Sequence, residues 1–149
     1  MDKMIDKKIP SPIGESKPRI DAREKVTGEA IFADDIQFGN ALLHARIKRS
    51  PHPHALIKKI DVTRALALPG VKAIVTGEDF PGYIGLYLQD RYIFCRAKVR
   101  YVGDPVAGVA ASTVEIAEKA VNLIDVEYEV LEPVLDPVFG ASSKAPLLH

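Results

Sequence analysis

The chain is poor in several residue types that would point to a particular kind of protein. Its 149 residues include one cysteine, Cys95, and no tryptophan. A single cysteine excludes an internal disulfide bond and favours a reducing, cytoplasmic compartment. The 20 basic residues balance the 20 acidic residues, so no net charge attracts the whole chain to nucleic acid or to an anionic membrane.

Long hydrophobic runs are absent as well. No apolar stretch approaches the roughly 20 residues that a helix needs to cross a bilayer. The opening segment, MDKMIDKKIP, is charged and lacks the apolar part of a signal peptide. Hydrophobic residues nevertheless make up 47% of the chain, enough to form the core of one domain. We therefore expect a globular cytoplasmic domain with neither a nucleic acid nor a membrane as partner.

Apolar periodicity predicts an α+β fold. A short helix is predicted over 62–68, capped by Asp61, and a longer one over 113–124, capped by Ser112 with Glu115 completing a capping box. Few connections between predicted strands contain a helix, which favours a mixed, mostly antiparallel sheet. A turn is predicted over 26–28 and one helical turn shortly after Pro133. The predicted strands cover residues 30–32, 42–48, 55–60, 71–76, 92–101, 105–111 and 125–131, with Val126, Tyr128 and Val130 facing inward in the last of them.

The segment RSPHPHALIKKIDV, residues 49–62, poses the main question about chemistry. A zinc site needs three or four converging His, Cys or carboxylate ligands. His52 and His54 could supply two of them, with His44 or Cys95 as a distant third. Two prolines flank His52, however, and a turn between prolines needs no metal to explain it. The sequence therefore favours a structural turn over a metal site.

Two other features could carry chemistry. Arg96 beside Cys95 could lower the pKa of the thiol and make it a nucleophile, but a lone cysteine is more often a small core residue. The adjacent carboxylates of Asp34 and Asp35 would point to opposite sides of an extended segment. They indicate a turn rather than a divalent-cation site.

A modest basic cluster lies at Lys48, Arg49, Lys58 and Lys59. The two lysines at 58 and 59 interrupt the alternation of the strand predicted over 55–60, which indicates a bulge or an early end there. A solvated strand edge guarded by lysine explains the cluster better than a nucleic-acid site does. The sequence contains no phosphate-binding loop, no nucleophile elbow and no HExxH zinc motif.

Five ordered segments of the chain form a more specific pattern. They are GESKPRIDAREKVTGEAIFADDI from Gly14, RSPHPHALIKKID from Arg49, PGVKAIVT from Pro69, VRYVGDPVAGV from Val99 and AEKAVNLIDVEYEVLEPVLD from Ala117. This pattern resembles the start of the molybdenum-binding subunit of the xanthine dehydrogenase/aldehyde oxidase family of molybdenum hydroxylases. That family includes the large chain of aerobic carbon monoxide dehydrogenase.

The resemblance implies an α/β-hammerhead domain over 14–136. We expect a flexible arm over 1–13 before it, and over 137–149 a linker toward a missing molybdopterin-binding region. In the family, the residues that hold molybdopterin and the glutamate that acts as a base lie in the longer region after this domain. The resemblance therefore assigns no catalytic, cofactor-binding or metal-binding residue to this chain. It makes His54 a structural position of the motif and leaves His52 in a turn.

For the complete enzyme the resemblance implies molybdopterin, [2Fe–2S] clusters and FAD. The implied partners are a molybdopterin-binding catalytic region or subunit and iron–sulfur and flavin subunits. We expect a structural or assembly domain that is inactive alone and exposes an apolar face, which favours a homodimer or poor solubility. Two alternatives stay open: a stand-alone, non-enzymatic interaction module that keeps the fold, and a small metal-binding protein based on His52, His54 and Cys95.

Overall fold

The computed structural model describes residues 13–36 and 38–147 of the chain. These residues fall into two compact units, Met1–Phe38 and Gly39–His149. The predicted N-terminal arm lies outside the described residues except for Ile13. The bounds of 14–136 for the hammerhead domain stay a prediction. No helix within the described ranges is long and apolar enough to cross a membrane.

The N-terminal unit contains a helix where the sequence predicted a turn and a strand. Helix α1 spans Ala22–Thr27, and a 3₁₀ helix spans Ala33–Asp35. The ion pair between Lys25 and Asp21 joins positions i and i+4, which stabilises the helix. Gly28 ends it in the left-handed region, at φ +77°, where its N–H donates to the Glu24 carbonyl. The turn predicted over 26–28 is therefore the end of this helix. The predicted strand over 30–32 does not form.

The C-terminal unit contains two three-stranded sheets and one short ribbon. The strands are β1 (His44–Arg49), β2 (Ala55–Asp61), β3 (Val71–Thr76), β4 (Tyr83–Ile84), β5 (Arg91–Tyr92), β6 (Lys98–Val99), β7 (Pro105–Ala111) and β8 (Asp125–Val130). The sheet orders are β1-β7-β3 and β6-β2-β8, and β4 pairs with β5 in the ribbon. Every described strand pair is antiparallel. This confirms the α+β class and the antiparallel pairing.

The strand predictions hold best where the apolar pattern is strongest. β3 and β7 have the predicted bounds. The predicted irregularity in β2 is confirmed, because the register between β2 and β8 shifts between Ile57 and Lys59. The prediction that Val130 faces inward is wrong, because its side chain is 59% exposed. It lies at the last position of β8, beyond the core residues that cover Val126 and Tyr128.

The helices of this unit are α2 (Thr63–Leu66), α3 (Val114–Asn122) and α4 (Pro137–Gly140). The N-cap of α2 is Val62 rather than the predicted Asp61, although Asp61 Oδ1 accepts a 3.0 Å hydrogen bond from the Thr63 N–H at the start of the helix. The predicted cap at Ser112 is wrong. The N-cap of α3 is Thr113, whose Oγ1 accepts from the Ile116 N–H at 3.3 Å. Ser112 instead extends the edge of β7, since its N–H donates to the Gly70 carbonyl at 2.9 Å.

Two hydrophobic clusters form the core. The first lies between the sheet β1-β7-β3 and the helices α2 and α3, and it buries Ala65, Ala107, Val109, Ala120 and Ile124. The second lies against the sheet β6-β2-β8 and buries Ala55, Cys95, Val99 and Val106. Strand β7 supplies residues to both clusters. It is therefore the element around which the domain is organised.

Candidate functional site

The turn that contains the two candidate histidines is tied to the loop before β7. The Ser50 N–H donates to the Asp104 carbonyl at 2.9 Å, and the Gly103 N–H donates to the Ser50 carbonyl at 2.8 Å. Arg49 adds a 2.9 Å hydrogen bond from Nη1 to the Gly103 carbonyl. This turn is therefore held by backbone contacts to a segment about fifty residues away in sequence.

His54 is a buried structural residue. Its Nδ1 lies 2.9 Å from the Glu132 carbonyl oxygen, and because a carbonyl only accepts, Nδ1 carries the proton. The Leu131 N–H donates to the His54 carbonyl at 2.9 Å. These two bonds fasten the start of β2 to the chain that follows β8. The buried Nε2 has no hydrogen-bond partner among the described residues.

His52 lies in the turn and packs against an aromatic ring. Its ring centroid is 5.0 Å from that of Tyr128, in an edge-to-face arrangement. The backbone of His52 is held by the Ser50 hydroxyl, which accepts from the His52 N–H at 3.0 Å and donates to the His52 carbonyl at 2.9 Å. No group of three or more His, Cys, Asp and Glu side chains in the described ranges could hold a metal ion. The structure thus does not bring His52 and His54 together with His44 or Cys95 as a ligand set.

Cys95 and Asp104 form a buried pair beside this turn. The two side chains are 4% and 6% exposed. Burial, followed by the hydrogen bond to the Asp104 carboxylate, raises the pKa of the Cys95 thiol to about 12. Asp104 also accepts from the Arg100 N–H through Oδ2 at 2.9 Å, which fixes the loop before β7. A thiol that stays protonated at neutral pH is a poor nucleophile, so Cys95 serves packing rather than catalysis.

A cavity of about 330 Å³ opens beside this pair. At its rim, Arg91 Nη2 donates to the Tyr101 hydroxyl at 3.1 Å, and the guanidinium lies 6.0 Å from the Tyr101 ring centroid. The cavity is lined by Asp90, Arg91, Tyr92, Cys95, Arg100, Tyr101 and Asp104. Four of these side chains are held within the domain: Arg91 bonds to Tyr101, Cys95 to Asp104, and Asp104 also to the Arg100 backbone.

The remaining candidate residues also have structural partners. Asp35 Oδ2 accepts from the Phe32 N–H at 2.9 Å and so closes the turn in which Asp34 and Asp35 lie. Lys58 forms an ion pair with Glu129 across the sheet, and Lys59 pairs with Asp61 at 3.3 Å. β6 pairs only with the first residues of β2. The two lysines therefore stand where β2 has β8 as its one described neighbour, as the edge interpretation predicted.

Sequence reasoning missed the buried polar residues Ser50 and Asp104. Both belong to segments of the family pattern, R-S at the end of β1 and G-D-P before β7. Their hydrogen bonds join residues more than fifty positions apart. Local periodicity carries no signal for such pairs.

Some of the side chains that could bind an anionic cofactor such as molybdopterin are already paired within the domain. They include three arginines: Arg46 pairs with Glu118, Arg64 with Asp125 and Arg96 with Glu78. The one thiol is buried and protonated. No step of a reaction can be assigned to these side chains.

The comparisons with known proteins agree with this description of the fold. A family model described as the a/b hammerhead domain of aldehyde oxidase and xanthine dehydrogenase matches residues 27–132. This match covers well over half of the chain. The chain therefore belongs to the hammerhead domain of the aldehyde oxidase and xanthine dehydrogenase family, which are molybdenum hydroxylases.

Similar proteins include enzymes of several activities. The chain is 42% identical to a probable xanthine dehydrogenase subunit of Bacillus subtilis, over 90% of this chain and 18% of that protein. It is 35% identical to the nicotinate dehydrogenase large molybdopterin subunit of Eubacterium barkeri, over 92% of this chain and 32% of that protein. Among solved structures, Cu,Mo-CO dehydrogenase superposes with a TM-score of 0.83 at 32% identity, over 91% of this chain and 18% of that chain. The aldehyde oxidoreductase of Desulfovibrio gigas gives 0.81 at 30% identity, over 89% and 16%.

The chain spans only a small part of these relatives. It covers 18% of the Bacillus subtilis protein and 32% of the nicotinate dehydrogenase subunit. What those proteins do as wholes therefore does not follow for this chain from the match alone.

Proposed function

We propose that this chain is a structural and assembly domain of a molybdenum hydroxylase and takes no part in the chemistry itself. The observation that carries the proposal is the use of the family motif residues in the domain's own framework. Arg49, Ser50 and Asp104 hold the histidine turn, and His54 fastens β2 to the end of β8. Side chains that are committed in this way are not available to a substrate.

The surface of the domain supports a role in assembly. In the loop between β4 and β5, the side chains of Leu86, Tyr87 and Leu88 are 89%, 92% and 73% exposed. Three consecutive large apolar residues in solvent are typical of a surface that another polypeptide covers. The hammerhead domain alone leaves them without that cover.

We propose a molybdopterin-binding catalytic region as the partner of this domain. The names of several relatives describe subunits, including the large molybdopterin subunit of nicotinate dehydrogenase and the gamma subunit of the 6-hydroxypseudooxynicotine dehydrogenase complex. By extension, the complete enzyme would carry molybdopterin, [2Fe–2S] clusters and FAD, the last two on partner subunits. The reaction would be hydroxylation of an aldehyde, a purine, another N-heterocycle or a CO-like substrate with oxygen from water. The side chains that choose the substrate would lie outside this domain.

Purification of the tagged protein from the cells that make it tests the proposal. We expect molybdenum, measured by inductively coupled plasma mass spectrometry, to accompany the tag in stoichiometric amount. The 149-residue chain produced alone is expected to contain no molybdenum and to show no turnover. Molybdenum or turnover in that isolated chain would contradict the non-catalytic role. Purification from the native cells without molybdenum would instead favour the stand-alone interaction module.

A further inference from the structure

The sheet β1-β7-β3 has one face covered by a helix and a second face that is apolar. One face is covered by α3, which buries Ala117 and Ala120 and carries Glu118 within 3.1 Å of Arg46. Val109 lies in the core cluster on this side. Because side chains alternate along a strand, Gly108 and Ala110 point to the other side.

The strand register defines what lies on that second face. Ala45, Ala110 and Ala73 are direct partners and form one row across the three strands. Ile47, Gly108 and Val75 form the next row. Neither row contains a charged or polar side chain, whereas an antiparallel sheet with one solvated face normally alternates apolar with polar residues. This composition is typical of a sheet that is covered on both faces.

The second face is only partly covered within the domain. Phe94 packs on the face at Gly108, so closely that a methyl group added to Gly108 would be 2.9 Å from Phe94 Cζ. Away from Phe94, at the alanine row, the face is open: Ala45 and Ala73 are exposed, and Ile47 is 43% exposed. An apolar cavity of about 260 Å³ lies over the alanine row and is bordered by Phe94, Ile47 and Val75.

We propose that this open face docks an apolar segment of the molybdopterin-binding region of a molybdenum hydroxylase. The inference rests on the proposed function and names the surface that the assembly uses. The one charged residue among the described residues that border the face, Arg46, is paired with Glu118. This argues against nucleic acid or an acidic peptide as the occupant. Small side chains at Ala45, Ala73 and Ala110 allow the backbone of the docked segment to approach closely.

The size of the face and the length of the relatives decide between a larger polypeptide and a second copy. The area that two rows of three residues can bury is well below the about 800 Å² per partner that a stable dimer typically buries. Such a patch suits one part of a larger interface. In the relatives, most of the polypeptide lies outside the region that this chain matches; even in the large molybdopterin subunit, that region is only 32% of the protein. That polypeptide is long enough to supply the missing cover.

The test measures thiol accessibility with and without the partner. The substitution Ala73→Cys places a thiol on the open face, and Lys119→Cys places a control thiol on α3, which covers the opposite face of the sheet. Both positions are exposed, so neither change should disturb the core. Cys95 contributes no background, because it is buried and its thiol pKa is about 12. Maleimide labelling of each position is followed by peptide mass spectrometry, in the isolated 149-residue chain and in the molybdenum-containing complex from native cells.

We expect position 73 to label at least tenfold more slowly in the complex than in the isolated chain. We expect position 119 to change less than threefold. Equal labelling of position 73 in both samples, with molybdenum present, would overturn the docking face and leave the proposed function intact. Slow labelling in the isolated chain that accelerates on dilution would identify a second copy as the occupant and also overturn it. Native material without molybdenum would overturn the proposed function and the docking face together.

Discussion

The imidazole Nδ1 of His54 donates a 2.9 Å hydrogen bond to the backbone carbonyl of Glu132. This bond joins the start of β2 to the segment after β8, and the ring that makes it is 5% exposed. A residue type that often binds metals thus forms a structural hydrogen bond between two distant parts of the chain. The Asp104 carboxylate has a local structural role: its Oδ2 accepts a 2.9 Å hydrogen bond from the Arg100 N–H, four residues earlier in the chain.

Removal of the His54 ring should therefore reduce stability rather than metal content. We expect His54→Ala to lower the free energy of unfolding by about 2 to 4 kcal/mol, because it removes a buried hydrogen bond and leaves a cavity. Urea denaturation of the isolated chain measures the change. His54→Asn should lose less, since the Asn amide can donate in the place of Nδ1. A loss of bound zinc with unchanged stability would contradict the structural role.

Burial of Cys95 predicts a specific dependence of stability on pH. Between pH 9.0, the ordinary pKa of the thiol, and about 12, the pKa of Cys95 in the folded chain, the unfolded chain loses this proton while the folded chain keeps it. The free energy of unfolding should therefore fall as pH rises, by about 1.4 kcal/mol per pH unit for this one group. Below pH 9 the contribution is constant.

The variant Cys95→Ala isolates that contribution. Lysines and tyrosines also titrate in this range, but they are present in both proteins and cancel in the difference. We expect the gap between the unfolding free energies of the wild type and Cys95→Ala to close from about pH 9 to about pH 11. A gap that stays constant over this range would show that the thiol ionises equally in both states.

The strongest local patterns predicted the elements that organise the fold. β7 is a continuous apolar run between Pro105 and Ser112, and β3 ends at the Gly77 turn, so both strands have clear limits in sequence. The break in alternation at Lys58 and Lys59 marks the register shift of β2. In each case the signal lies within a few residues of the feature that it predicts.

Features that depend on distant or competing contacts escaped the sequence. Thr113 caps α3 in place of Ser112, whose backbone N–H is bonded to the Gly70 carbonyl on a neighbouring segment. Helix α1 depends on the ion pair of Asp21 with Lys25 and on the left-handed Gly28, and the apolar pattern shows neither. The turn at Ser50 and the loop at Asp104 meet only in the folded chain. The candidate site was thus less predictable than the strands that surround it.

The close packing of Phe94 on Gly108 predicts the effect of one methyl group. Gly108→Ala would place a Cβ 2.9 Å from Phe94 Cζ and 3.1 Å from Val75 Cγ2. In a well-packed interior, such overpacking typically costs about 1 to 3 kcal/mol. Gly82→Ala is the matched control, because nothing lies within 4 Å of its added Cβ. Thermal unfolding of the two variants should show a lower midpoint for Gly108→Ala and little change for Gly82→Ala.

The exposed loop between β4 and β5 predicts how the isolated chain behaves in solution. Leu86 and Leu88 are largely in solvent. They should therefore promote association between molecules and add little to the stability of the fold. We expect the double variant Leu86→Ser, Leu88→Ser to stay monomeric at concentrations at which the wild-type chain dimerises or precipitates. Its free energy of unfolding should be unchanged within about 0.5 kcal/mol. Sedimentation velocity over a concentration series measures the association.

The control for this loop is a pair of leucines replaced elsewhere on the surface. Leu66→Ser and Leu135→Ser remove exposed leucines, 54% and 79% in solvent, from α2 and from the segment before α4. If these variants suppress association as strongly as the loop variant, association reflects general surface hydrophobicity rather than one contact surface. A wild-type chain that sediments as a monomer at every concentration would contradict the prediction at its root. The three exposed residues of the loop would then need a different explanation from an uncovered interface.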